Sequence, residues 1–301
     1  MTPVWGELAA LATSVLWSGT STFFTIGSRK VGALVVNRAR LLIALALLLL
    51  TRTLLLGGPL PLDAEPSRWF WLGLSGIVGL TIGDALLFQA FVWIGARLSM
   101  LILSSVPVMS GLLAWAFLGQ RLLPIHWFGI AVTVGGIAWV VLERDRSPAA
   151  STPPPHYLRG VVFGIGAAAG QAVGLVLARE GLSGDFPALS GNVIRMVCAA
   201  TAIWLLAFAQ RQAGPTVRRL AADHSAWAPI LGGSIFGPYI GVWLSLIAIQ
   251  LTDVGIASAL MALPPVFLLP IDALVFKERI GWQAIAGTAV AIAGAALLLL
   301  T

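Results

Sequence analysis

Asp84 is the residue from which any chemistry inside this chain has to start. It falls midway through an apolar stretch at 69–93, where a carboxylate at membrane depth costs roughly 2.5–3.5 kcal/mol. An acid kept at that cost has three uses: a protonation site, a partner for a substrate amine, or a structural acid bonded to helix backbone or to Arg38 or Arg40. A second group is aromatic. Trp17 lies in "SVLWSGTS" (14–21), and Gln171 holds the matching place in "AAAGQAVG" (167–174). Small neighbours allow close helix packing, leaving the one large residue of each stretch free to point into a central space. Tyr239 and Trp243 are four apart, hence on one helix face. A third group is Pro107, Pro264 and Pro265 with Ser104, Ser105 and Ser258 close by. Proline frees backbone carbonyls that can kink a helix, meet a polar solute, or be satisfied by neighbours.

The substrate-binding set read from these groups is Trp17, Asp84, Ser104, Pro107, Gln171, Tyr239, Trp243, Ser258 and Pro265. Aromatic walls, hydroxyls, one amide and few charges suit a small, mostly apolar, net-neutral solute. A sugar phosphate would want central Lys or Arg, and the only lysines, Lys30 and Lys277, stand at span ends. Arg40 and Arg195 are expected to snorkel to the interface or pin loop carbonyls. No catalytic residue, metal or cofactor is expected. The chain has no HExxH and no GxSxG, and "GIGAAAG" (164–170) sits inside an apolar run with no strand before it. His126, His156 and His224 are scattered near loops, and Cys198 is the only cysteine.

The elements that must position these residues are membrane helices. Hydrophobic residues are 58% of the chain, charged ones 10%, and mean hydropathy is +0.95; a soluble domain carries about 25% charge. The net charge of +6 is almost all arginine and forms no polar-interleaved stripe, so it reads as interfacial anchors and not as a nucleic-acid face. The partners expected are therefore the lipid bilayer and a small-molecule substrate. Apolar runs place ten spans at 4–26, 32–51, 69–93, 97–118, 124–142, 158–178, 187–209, 227–250, 255–276 and 281–300. The first lacks a basic leader region, carries Glu7, and reads as a retained span. The expected fold is an all-α integral membrane protein.

The ten spans are five written twice. A shift of 158 residues sets Gly79 on Gly237, Gly83 on Gly241, Pro107 on Pro265, Arg121 on Arg279 and Gly129 on Gly287. Shifts of 155 and 154 set Asn37 and Arg40 on Asn192 and Arg195, and Gly6 on Gly160. The halves run 1–145 and 158–301, with a Pro-rich linker at 146–157. Five is odd, so the second half must enter the membrane from the side opposite to the first. That predicts two inverted five-helix repeats, an architecture of secondary transporters with the substrate site at the repeat interface.

With the paired Arg40 and Arg195, the paired Pro107 and Pro265, and the endings "LGQRL" (118–122) and "FKERI" (276–280), the whole chain resembles the EamA type of the drug/metabolite transporter superfamily. Glu278 fits the family's usual acid in that ending, whereas Gln120 departs from it. Within the superfamily the chain is similar to bacterial aromatic amino-acid exporters. The resemblance implies export of aromatic and other neutral amino acids through a bacterial inner membrane by alternating access. The alternative is a proton-coupled exporter of drugs, nucleobases or other amphipathic metabolites working through Asp84. Orientation divides the arguments: the bias of Arg and Lys between loops favours both termini outside, and the resemblance implies both in the cytoplasm.

Overall fold

The computed structural model describes residues 2–143, 156–268 and 281–300. In the first half, helix α1 runs Thr2–Val31, α2 Ala33–Leu56, α3 Pro66–Gly76, α4 Asp84–Leu103, α5 Val106–Leu118 and α6 Pro124–Glu143. The second half has α7 Tyr157–Gly181, α8 Ala188–Ala209, α9 Ala213–Ala222, α10 Trp227–Ser234, α11 Val242–Leu251, α12 Val254–Met261 and α13 Trp282–Leu300. A π-helical segment, Ile77–Gly83, joins α3 to α4, and another, Ile235–Gly241, joins α10 to α11. These two segments differ by the same 158 residues as the sequence repeat.

Taken through the π segments and the Ser104–Ser105 turn, eight helical stretches among the described residues are long and apolar enough to cross a membrane, and Val254–Leu268 is a shorter apolar one. The other span expected from sequence is α1. It has 30 residues, but its hydropathy is diluted by Thr13, Ser14, Ser18 and Thr20, whose hydroxyls donate to carbonyls of their own helix at 2.6–3.0 Å. Part of the ninth expected span, together with Glu278, Lys277 and most of the linker, lies outside the described residues.

The helix ends follow from proline chemistry. A proline ring clashes with the carbonyl four residues earlier and supplies no N–H. Accordingly α4 stops at Leu103, four before Pro107, and α12 stops at Met261, four before Pro265. Each break is closed by the same short bond, Ser105 N donating to Ile102 O and Leu263 N to Leu260 O. This moves one boundary. Helical backbone continues through 94–96, where the sequence placed a loop, and the break falls at Ser104–Ser105. A second correction concerns 209–226, read as a plain loop: it contains α9, which buries Ala213, Thr216 and Leu220.

The halves interlock by matched contacts. Gly6 of α1 packs on Leu251 and Thr252, and Gly160 of α7 packs on Trp93 and Ile94. In the seam between α6 and α13, an added Cβ would meet a partner side chain at 2.8 Å for Gly129 (Leu298) and 3.1 Å for Gly287 (Val140). Gly136 likewise faces Ala291 as Gly294 faces Thr133. As α6 advances from 129 to 140, its partner recedes from 298 to 287. The two equivalent helices therefore run antiparallel. Such close backbone approach is what glycine permits where lipid supplies no hydrophobic drive between helices.

Candidate functional site

The predicted site residues fall into three neighbouring groups. The first is aromatic. Trp17, Tyr239 and Trp243 are half-buried and pack on one apolar cluster from α2 and α8 that includes Leu41, Leu48, Val193 and Met196. Gly241, at the end of the second π segment, gives Trp17 its place: an added Cβ there would lie 2.6 Å from Trp17 Nε1. Tyr239 is anchored by its phenol, 2.6 Å from Thr51 Oγ1 of α2. Asn192 of α8 donates to the carbonyls of Pro238 and Tyr239 at 3.4 Å, meeting backbone that the π segment displaces from regular helix bonding.

The second group is charged. Asp84, the first residue of α4, accepts a hydrogen bond from Arg40 Nη2, and the two form a buried ion pair, 14% and 12% exposed. Arg40 Nε donates to Asn37 Oδ1 at 2.7 Å, and its guanidinium stands 5.3 Å from the Phe24 ring. Arg195 of α8 is 4% exposed and within electrostatic reach of Asp84. This corrects the expectation that Arg40 and Arg195 snorkel to the interface: both turn inward, because an acid waits in the interior and hydrocarbon surrounds the rest. Gln171 lies beside this group, its backbone N being 3.6 Å from a Cβ placed on Gly83. Gln171 thus meets the first π segment as Trp17 meets the second.

The third group is the pair of proline breaks. Pro107 and Pro265 are both buried. The Ser104 hydroxyl donates to Leu101 O at 2.6 Å, and the Ser258 hydroxyl to Gly255 O at 3.1 Å. Ser258 Oγ also lies 2.5 Å from Ser110 Oγ, joining α12 to α5. These hydroxyls are committed to protein partners, and the Ser110–Ser258 contact staples the two halves together.

Sequence reasoning gave Asn192 no place in the site and missed Thr51 altogether. A signal existed for Asn192, which aligns with Asn37, but nothing in the sequence marked Thr51. Gln120, which looked like a departure from the family's acid, accepts a bond from Val254 N at 3.0 Å and so caps the start of α12. An amide oxygen serves this end as an acid would. Among the described residues no three His, Cys, Asp or Glu side chains gather to hold a metal ion.

The model of the EamA-like transporter family matches residues 4–142 and again 158–300. The chain belongs to the EamA-like transporter family. This EamA-like protein is thus a multi-pass membrane protein of duplicated halves and a secondary transporter of small metabolites, not an enzyme. A search of curated proteins finds no match. A solved structure titled only "Crystal structure of protein" superposes with a TM-score of 0.76, at 19% identity, over 97% of this chain and 95% of its own. At that identity the likeness speaks for the fold alone.

Proposed function

We propose that the chain crosses the membrane ten times as two inverted five-helix repeats, 1–145 and 158–301, joined by the linker at 146–157. On this reading it exports small, largely apolar, net-neutral metabolites, with aromatic and other neutral amino acids as substrates, from a bacterial cytoplasm. The substrate binds between the repeats and alternating access moves it. Repeat counterparts α6 and α13 running antiparallel support the inversion, since a parallel duplication would align them. The observation that carries the substrate class is that Trp17 of the first half and Tyr239 and Trp243 of the second pack against one shared apolar cluster. Three rings from both repeats converge where a rocking motion would open and close, and a solute with an aromatic ring gains from stacking among them.

The test is uptake of radiolabelled phenylalanine, tryptophan and threonine into proteoliposomes, with empty vesicles as control. Saturable uptake, with half-saturation raised by Trp17→Ala or Trp243→Ala, is expected. Uptake no greater than in empty vesicles, from folded and monodisperse protein, would sink the amino-acid assignment.

A further inference from the structure

Arg195 is a buried cation whose counterpart in the other half has a partner that it lacks. Arg40 has Asp84 as its ion-pair partner and Asn37 Oδ1 as a second acceptor. The duplication copied the arginine and the asparagine, as Arg195 and Asn192, but the position corresponding to Asp84 is Val242. Arg195 Nε and Nη1 are buried without a hydrogen-bond partner, and so is Asn192 Oδ1. The guanidinium instead lies along the first π segment, its Nη2 3.7 Å from a Cβ placed on Gly79. It is within electrostatic reach of Asp84, whose carboxylate is already engaged by Arg40. Two guanidiniums and one carboxylate leave a single positive charge in excess, in an interior where an unpaired charge is costly.

We infer that Arg195 binds the carboxylate of the transported solute. A carboxylate would supply the hydrogen-bond acceptors and local counter-charge that this guanidinium lacks, and guanidinium N–H groups make strong charge-assisted bonds to carboxylate oxygen. Arg195 lies beside the first π segment, at whose end Gln171 meets Gly83. Trp17, the repeat counterpart of Gln171, meets the end of the second. Trp17 also packs on the cluster that contains Val193 and Met196, the neighbours of Arg195 on α8, so the carboxylate and the aromatic ring of one solute would have places near each other. This deepens the proposed function and rests on it for the identity of the solute, but the carboxylate site has a test of its own.

The test measures thermal stabilisation of the detergent-purified full chain by acetate, benzoate, 3-phenylpropionate and phenylalanine, each beside its matched amide. At least one aromatic carboxylate is expected to raise the melting temperature where its amide does not. Arg195→Gln should weaken that binding about tenfold or more, the loss of a charge-assisted bond, and Arg195→Lys should retain part of it. If no carboxylate outperforms its amide on the parent protein, the site is overturned whether or not the variants fold. A folded Arg195→Gln that keeps the discrimination overturns it too. Carboxylate binding without phenylalanine uptake sinks only the amino-acid substrate, and phenylalanine uptake without carboxylate discrimination sinks only the role of Arg195.

Discussion

Trp17 and Gly241 touch across the two halves so closely that a Cβ on Gly241 would lie 2.6 Å from the indole nitrogen. The same Cβ would press on Phe236 O at 2.6 Å. In the matching contact, Gly83 leaves 3.6 Å to Gln171. Gly241→Ala is therefore expected to destabilise by about 1–3 kcal/mol, the usual range for overpacking, and Gly83→Ala by less. Melting of the purified protein, followed by fluorescence, checks the order. An equal or smaller loss at Gly241 would mean that Trp17 is free to move aside.

Adjacent glycines of α6 provide a matched comparison. A Cβ on Gly136 would fall 2.3 Å from Ala291 N of α13, whereas one on Gly135 meets nothing within 4 Å. Gly135→Ala should leave the melting temperature unchanged or slightly raised, since alanine favours helix by roughly 0.5–1 kcal/mol. Gly136→Ala must part the two helices, because the obstacle is backbone, and a clear drop is expected. Similar melting for the two variants would count against the seam.

Asp84 is predicted to be the stability centre of the charged group. Asp84→Asn leaves Arg40 and Arg195 without a buried counter-charge, and breaking a buried pair costs about 3–5 kcal/mol. Replacing the pair by apolar residues, Arg40→Met with Asp84→Leu, should restore much of that loss. The comparison is made by denaturant or thermal unfolding of the single and double variants. A double variant less stable than Asp84→Asn alone would show that Arg40 holds the fold by contacts other than the acid.

Asp253, in the turn between α11 and α12, gives a pH prediction. Burial pushes its carboxyl above the usual range, partly offset by the charges of His126 and Arg179. The fold therefore favours the protonated acid. Its contribution to stability is full below the ordinary carboxylate value of about 3.9 and is lost as the pH rises through the raised folded value. Asp253→Asn should melt above the parent at pH 7, with the gap closing towards pH 4. A variant that melts below the parent at pH 7 would refute the sign.

Much of the fold could be read from residue order because membrane helices announce themselves locally. Eight of the ten expected spans coincide with helices long and apolar enough to cross, and the repeat at 158 residues returned as two π segments in register. The proline pairs were visible as breaks in backbone bonding, but that α4 and α12 end there was not read from them. The site was less legible. Ser104 and Ser258 looked available, yet both hydroxyls are committed to protein partners. Arg40 and Arg195 looked like interfacial anchors and lie inside.

By itself, then, the sequence determined that this chain lives in lipid, in helices, and as five elements written twice. Hydropathy, helix breaking and internal repetition are properties of neighbours along the chain. Only the tertiary structure decided which polar groups are spent and which are spare. Whether a buried arginine meets an acid depends on residues 44 positions away, as for Arg40 and Asp84, or on an acid absent from the matching place, as for Arg195. The cost of a charge in hydrocarbon is set by what packing brings within a few ångströms, and packing joins residues that lie far apart in the sequence.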